Sequence, residues 1–556
     1  LGERTCLSAT EVGACTAEGV FRAAETCTGD TICALGGCRT PACAQALGTL
    51  SYLGCDYLVA ELPNEVMTTG GPAPDAPAAV VVTNPDPVHP VRVDLRRASG
   101  RDAPVLAAVT VTVDPRFAGM IEPVTVHSEV RDAAGEVVLR DFASGGDLQV
   151  PPGGVATLLL PRATGLIEAT GVSDDTWRLL SDRPVAAYQF NPYCCNYSFS
   201  NDASLLTPVT SLGREYRFLG PARWPTPANT AAEPTLTVLA AEDGTTVRLE
   251  LPRADLVDHR LHPRLTAAGP AAVEVRLDAQ EMLTLMPDAA APATADLSGT
   301  VIRADRPVAV FSGHTCTYYP HDQAACDHLE EQLVPVDTWD ARFVLVPPVR
   351  RGGADSEEGV FWKILARDAG TRVRLSRPMA DLEPRAPGAA GVPDCATLLV
   401  DDTTLVFDDA LHCEFGSAHP VGIEGDGPLM VLGIVSGQAT TGAESGFGAR
   451  AGDPSLFLVP PDTQYRQDYV FLAPATYAQD FVTVIAHPDA TLTLDGAAVP
   501  LADATPVPGS DHVFRHVPIT DGPHRISGDR PFGILVFAYD DFVSYAFTGG
   551  LNLGKR

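Results

Sequence analysis

SDRPVAAYQF at residues 181–190 returns as ADRPVAVFSG at 304–313, GDGPLMVLGI at 425–434 and GDRPFGILVF at 528–537. Each copy sets an Asp and a Pro two residues apart ahead of an unbroken apolar run. Asp and Pro are turn formers, and a short continuous apolar run behind them reads as a buried strand. Each copy therefore predicts a turn that launches a core strand. Four copies in one register are an internal repeat, and a repeat fixes the architecture before any single motif does.

Two further elements recur around these copies. An apolar strand, a turn with Asp or Gly and an alternating strand precede each one: AAVVVTNPDPVHPVRVDL from Ala78, LTVLAAEDGTTVRLEL from Leu236, WKILARDAGTRVRL from Trp362 and VTVIAHPDATLTLDG from Val482. Alternation gives one buried and one solvated face, so these read as hairpins. The units are joined by TPVTSLGREYRFLGP, VPVDTWDARFVLVPP and VPPDTQYRQDYVFLAP, whose flanking prolines keep the linking strand short and at a sheet edge. The expected fold is all-β, with four tandem β-sandwich-like units at 51–205, 206–333, 334–455 and 456–556 behind a small Cys-rich module at 1–50. The alternative is a β-propeller in which the strands are pooled into blades. Insertions at 257–286 and 380–412 are expected in loops at the ends of the units.

Composition agrees with this outline. The 556 residues include 49 Gly and 48 Pro with only 7 % aromatics, a balance that favours many short strands and turns over long helices. The 45 % apolar content is enough to fill several cores, which excludes a disordered acidic tail. With 70 acidic side chains against 39 basic ones the formal net charge is -31, a surface that repels a phosphate backbone and excludes simple nucleic-acid binding. No stretch approaches the ~20 apolar residues of a membrane span, and no signal segment opens the chain at Leu1, so a mature or trimmed secreted product is expected.

Seven of the 13 cysteines fall within the first 55 residues: Cys6, Cys15, Cys27, Cys33, Cys38, Cys43 and Cys55. Their gaps lack the paired C-x2-C knuckles of a zinc module, so they read as a disulfide-held head in an oxidising compartment. Cys316 with Cys326 and Cys395 with Cys413 suit local bridges. Cys194 and Cys195 are adjacent, and because a vicinal disulfide is strained, one of them is expected to reach Cys55. The odd total leaves one thiol over, or a partner lost upstream.

SYLGCDYLVAELPN at 51–64, YQFNPYCCNYSFSNDASLLTP at 188–208, GHTCTYYPHDQAACDHLEEQLVP at 313–335 and SYAFTGGLNL at 544–553 carry a resemblance to a known family. In these strings the chain resembles the N-terminal domain of IgG Fc-binding proteins, and its head resembles the Cys-rich leaders of bacterial, myxobacterial-type secreted members. The resemblance implies secretion, disulfides, β architecture and a binding or matrix role. The vertebrate protein also cleaves itself at a Gly-Asp-Pro-His motif. Here the nearest string is Gly452-Asp453-Pro454-Ser455, without the His, so cleavage is not carried over.

His314, His321, Asp322, Asp327, His328, Glu330 and Glu331 form the densest polar cluster, gathered around the Cys316 and Cys326 pair. Imidazoles and carboxylates together could hold zinc or calcium, but no H-E-x-x-H or other defined spacing is present. The competing reading is a disulfide-closed loop whose polar groups bond backbone or pair with Arg at a boundary between units. The doublets Asp401-Asp402, Asp408-Asp409 and Asp540-Asp541 could add structural calcium ligands, although none fits a calcium loop. No cofactor is otherwise expected. A G-x-S-x-G elbow and a phosphate loop are absent, the latter because Lys occurs only at 363 and 555. The function expected is a secreted or cell-surface, non-catalytic binding or adhesion protein that recognises an extracellular glycoprotein or polysaccharide. A self-associating subunit of an extracellular matrix or filament is the alternative, and a metal-dependent hydrolase centred on His314 to Glu331 the third reading.

Overall fold

Each Asp-x-Pro copy lies in the middle of one long strand: Thr176–Asn191, Val301–Thr317, Val421–Val435 and Gly522–Asp540. This computed structural model describes residues 4–554 except 17–19, 35, 49, 65–75, 99–103, 112–122, 162–168, 195–199, 225–231, 325, 354–355, 409–410 and 444–448. The expected turn is instead a bulge within a continuous strand. Across it the first strand of each unit advances two residues while the long strand advances five. Asp56 faces Leu180 and Gly54 faces Val185; the same step runs from Glu215–Arg303 to Gly213–Val308, from Arg342–Glu424 to Asp340–Leu429 and from Asp468–Ser527 to Arg466–Phe532.

The Asp is what makes such a bulge tolerable. Extra residues in one strand leave backbone groups opposite them without ladder partners, and a buried amide must find an acceptor. Asp182 takes the N–H of Arg92 at 2.8 Å, Asp305 that of Thr246 at 2.8 Å, Asp426 that of Arg372 at 2.8 Å and Asp529 that of Thr491 at 2.9 Å. Pro, which has no N–H to satisfy, fits the unpaired position. In three units a tyrosine completes the repair: Tyr57 donates to the carbonyl of Val185 and Tyr216 to that of Val308, at 2.5 and 2.8 Å, and Tyr469 to that of Phe532. The third unit has Phe343 at this place, buried and without a hydroxyl.

The bulge bends the long strand so that its two halves belong to different layers. In the second unit Thr245–Glu250 and Gly213–Arg217 flank the first half, while Pro234–Ala240 and Asp327–Leu333 flank the second. The same plan holds in the other three units. The strands read as hairpins therefore pair with opposite halves of the long strand rather than with each other, and the turn between them carries the chain from one layer to the other. Local alternation signals a half-buried strand but cannot name its partner. The inserted stretches are also more than loops: Thr266–Gly269, Ala272–Leu277 and Met282–Leu285 extend the second sheet, and Thr404–Phe407 pairs with Thr371–Leu375 in the third. The core is shared between units: one apolar cluster runs through all four, a second around Trp177 joins the first and second, and a third around Trp362 joins the third and fourth.

Each unit ends on a short strand against the second half of its long strand: Asp202–Leu206, Asp327–Leu333, Leu456–Leu458 and Val543–Thr548. Leu456–Leu458 thus pairs within the third unit, and the sheet pairing places unit ends just before the 3-10 turns Val209–Ser211, Val336–Thr338 and Asp462–Gln464. These four terminal strands touch one another in cyclic order, the fourth returning to the first. The units thereby close into a ring. Chain ends seal it, because Ser51 bridges Asn552, the N–H of Tyr52 donates to Leu551 and that of Leu553 to Leu50. Close approach across the unit junctions requires glycine: a Cβ on Gly54 would lie 2.3 Å from Pro208, and one on Gly213 2.3 Å from Pro335.

The head contains the three-stranded sheet Arg4–Ser8, Glu11–Cys15 and Phe21–Thr26, the hairpin Ile32–Ala34 with Gly37–Arg39, and the helix Pro41–Ala46. Cys6–Cys33 and Cys27–Cys38 staple it internally, and Cys43–Cys55 ties it to the first unit. The expected link from Cys55 to Cys194 or Cys195 is therefore replaced by one of short sequence separation, from the helix to the strand beside it. Cys15 is a free thiol. Cys194 is disulfide-bonded, and Cys195 lies outside the described residues. Cys316–Cys326 and Cys395–Cys413 close local loops in the second and third units.

Candidate functional site: a buried seam and two outer clefts

The terminal strand DHLEEQL at Asp327–Leu333 is polar in sequence, yet every residue in it is buried. The ring explains why: this strand is covered on both faces, by the first unit on one side and the third on the other. Towards the first unit, Glu330 accepts from Ser204 at 3.1 Å and from Gln189 at 3.3 Å, His328 Nε2 lies 3.3 Å from Asn191 Nδ2, and Gln332 accepts the N–H of Thr207 at 2.7 Å. Towards the third, Glu331 accepts the N–H of Leu458 at 3.1 Å. Asp202 joins all three, taking the N–H of Glu330 at 3.1 Å and of Leu456 at 2.9 Å with one carboxylate oxygen. Asp453, in the string that lacks the cleavage His, is held by Ser544 of the fourth unit.

Electrostatics in this seam follow from burial without cations. Loss of water pushes Asp202, Asp327 and Glu331 well above the carboxylate range and Glu330 upward, and Asp453 and Asp202 push Asp327 further. Burial, assisted by His321 and His328, drives His314 well below its ordinary value, and burial lowers His321 to about 4. Burial therefore favours the neutral forms of these groups.

The residues proposed as metal ligands do not converge as one set. His328 and Glu330 meet at 3.5 Å inside the seam. His314 Nδ1 accepts the N–H of Cys316 at 3.2 Å, His321 packs against Tyr319, Asp327 lies near Asp202 and Asp453, and Asp322 is exposed on the disulfide loop. Among the described residues no group of three or more His, Cys, Asp and Glu side chains is arranged to hold a metal. The expected partnership with Arg is also absent here; the boundary is held by amides, hydroxyls and backbone.

The neighbouring seam, between the second and third units, is ionic. Lys363 is fully buried, with its Nζ 3.5 Å from Glu414 and 3.7 Å from Asp296. Tyr319 of the second unit donates to Glu414 at 2.5 Å, Gly388 donates its N–H to the other oxygen at 2.7 Å, and His412 lies 3.3 Å from Asp296. Burial favours the neutral acid at Asp296, but Lys363 and then His412 outweigh it and hold the carboxyl well below its usual range. At the next seam Arg351 binds Glu358 at 2.7 Å, donates to the carbonyls of Ala451 and Ser436, and stacks 4.6 Å over Tyr539 of the fourth unit.

Accessible polar chemistry lies outside the ring, in two clefts. One, of about 620 Å³, runs between the third and fourth units past Arg342, Arg374, Glu424, Asp462 and His512. The other, of about 920 Å³, lies where the head meets the second and third units and is lined by Arg39, Arg214, Arg217 and Arg367 with Glu215 and Glu242.

The family model described as IgGFc binding protein matches residues 202–538, from the first terminal strand through the fourth long strand. This chain belongs to the IgGFc-binding family. A human relative, "IgGFc-binding protein", is 25 % identical over 357 residues, which is 62 % of this chain and 6 % of the relative. The chain thus corresponds to a small part of that protein's length. All four strings that carry the resemblance lie at the ring's seams or closure, around Tyr52, Asp202, Asp327 and Ser544. What the family resemblance marks in this chain is the framework, whose polar residues sequence reading placed in a disulfide-closed loop at a boundary between units and the structure places in a buried strand there. Sequence reading missed Lys363, Glu414 and Arg351, and also the arginine-lined cleft, because each set is assembled from segments far apart in the chain.

Proposed function

We propose that this chain is an extracellular, non-catalytic binding protein that recognises a glycoprotein or polysaccharide with the outer face of the ring. The carrying observation is the separation of buried from accessible chemistry. Asp202, Asp327, His328, Glu330 and Glu331 are buried where the units meet, whereas the open polar clefts lie at the outer junctions. Family membership, the disulfide-held head and the two local bridges support an oxidising, extracellular setting. Among the described residues no helix is long and apolar enough to cross a membrane. A glycan and glycoprotein array probed with the full chain tests the reading. Specific, saturable capture of one glycan class is expected; uniform absence of capture across the array contradicts it.

Self-association is the second reading, favoured by one strand. Val137–Arg140 is the outermost strand of the first unit's sheet, and Val137, Val138 and Leu139 are 38, 52 and 44 % exposed. An apolar edge with unpaired backbone groups is a means of strand addition.

A further inference from the structure

Four arginines gather in the larger outer cleft of a chain whose net charge is -31. Two of the cleft's carboxylates pair outside it, Glu215 with Arg303 at 3.6 Å and Glu242 with Arg306 at 3.0 Å; Asp368 pairs with the cleft's own Arg367 at 2.8 Å, and Asp337 also lines the cleft. Arg39, Arg214 and Arg217 have no ion pair with any described carboxylate. Their placement is set by rigid elements: Arg39 ends the disulfide-stapled hairpin of the head, whose neighbour Thr40 donates to the carbonyl of Asp182 at 2.5 Å, and Arg214 and Arg217 lie on Gly213–Arg217. Arg39 and Arg217 are half-buried, and their Nε–H groups are enclosed without any acceptor, while Arg214 is exposed at the cleft. Burying a guanidinium donor without an acceptor is costly, and it leaves Arg39 and Arg217 as positive charge without a carboxylate partner beside the cleft.

We infer that this cleft is a binding site for a polysaccharide bearing oxyanion groups, sulfate or carboxylate, that are held by Arg39, Arg214 and Arg217. The inference rests on the glycan-binding reading above and assigns it a place and a chemical class. Guanidinium presents a planar fork matched to carboxylate and sulfate oxygens, and such charge-assisted bonds are the strong ones. A cleft of about 920 Å³ accommodates several sugar rings rather than a single small ion. Beyond a Debye length of ~8 Å repulsion from the acidic surface is largely screened, so a polyanion can approach the cleft and is retained where it reaches the three guanidinium groups.

The test uses the full chain with three oligosaccharide probes of equal length: sulfated (heparin-derived), carboxylated only (oligogalacturonate) and neutral (maltohexaose). Titration calorimetry is run on the parent, on Arg39→Glu/Arg214→Glu/Arg217→Glu, and on Arg374→Glu in the other cleft as a charge-reversal control away from the site. Arg214→Ala, at an exposed position, covers the case in which the triple variant fails to fold. Binding of the sulfated or the carboxylated probe is expected, whichever fits, with at least tenfold loss in the triple variant, a smaller loss in Arg214→Ala and none in Arg374→Glu. Anionic-probe affinity that survives both cleft variants overturns the site, as does capture of polyglutamate but of neither anionic sugar. Binding of the neutral probe alone overturns the chemical class while leaving the glycan reading intact. An array blank for neutral and anionic glycans alike removes that reading and this inference together.

Discussion

Two neighbouring seams of one ring solve the same problem by opposite means. Around the terminal strand Asp327–Leu333, which faces the first unit and, through Glu331, the third, carboxylates meet amides, hydroxyls and an imidazole with no cation among the described residues, and Asp202, Asp327 and Glu331 are driven towards their neutral forms. Between the second and third, Lys363 neutralises Glu414 and Asp296 in place, and Asp296 stays ionised. The first seam needs protons and the second needs a lysine. A repeat can therefore keep its backbone register while the polar glue between copies is chosen independently at each joint.

Removing the lysine should break this difference most visibly. Lys363→Met leaves two buried carboxylates without their cation, and losing one partner of a buried ion pair costs about 3 to 5 kcal/mol. A large fall in the denaturant midpoint is expected, against little change for a comparable substitution at an exposed arginine. The bulges are common to both sides of the comparison and should respond alike. Asp305→Ala in the second unit and Asp426→Ala in the third each remove the acceptor of one exposed backbone amide, for a loss of about 0.5 to 1.5 kcal/mol apiece. Unequal losses would mean that the bulges, and not only the seams, differ.

The effect of pH sharpens the contrast. Asp327 and Glu331 have folded-state values raised above those of the unfolded chain. Their contribution to stability is full below the unfolded carboxylate range and is lost as pH rises through the folded values. Asp296 is lowered, so its contribution is present above the unfolded range and lost only as pH falls below it. Asp327→Asn and Glu331→Gln should therefore gain melting temperature relative to the parent, by a margin that widens from pH 5 to pH 8. Asp296→Asn should lose melting temperature throughout that interval. A margin for Glu331→Gln that is flat with pH would contradict the acid-seam account. The smallest effect is expected at the edge strand: Val138→Lys should leave the folding free energy within about 0.5 kcal/mol of the parent's, as surface changes do. The substitution should abolish any concentration-dependent association seen by light scattering.

The repeat was legible because each copy carries its own local chemistry: an Asp, a Pro and an apolar run. Its meaning was less so. Asp and Pro mark turns in general, and only the neighbouring strand shows that Asp305 serves the amide of Thr246 across a bulge. The Cys316–Cys326 and Cys395–Cys413 bridges could be read from spacing, whereas the partner of Cys55 depended on a helix docking beside it. DHLEEQL was opaque for a deeper reason. A strand polar on both faces reads as exposed, and no local pattern can announce that two other units cover it. Likewise Arg39, Arg214 and Arg367 come from three segments that meet only in the folded ring.

The central claim is that the family strings build an inaccessible framework and that recognition occurs outside it. Hydrogen exchange of the full chain, followed peptide by peptide with and without the captured glycan, tests this most directly. The account predicts that peptides containing residues 327–333 and 543–548 are among the last to exchange and do not respond to ligand, while those containing 37–39 and 213–217 slow on binding. Rapid exchange at 327–333, or ligand protection there in place of the outer cleft, would contradict it.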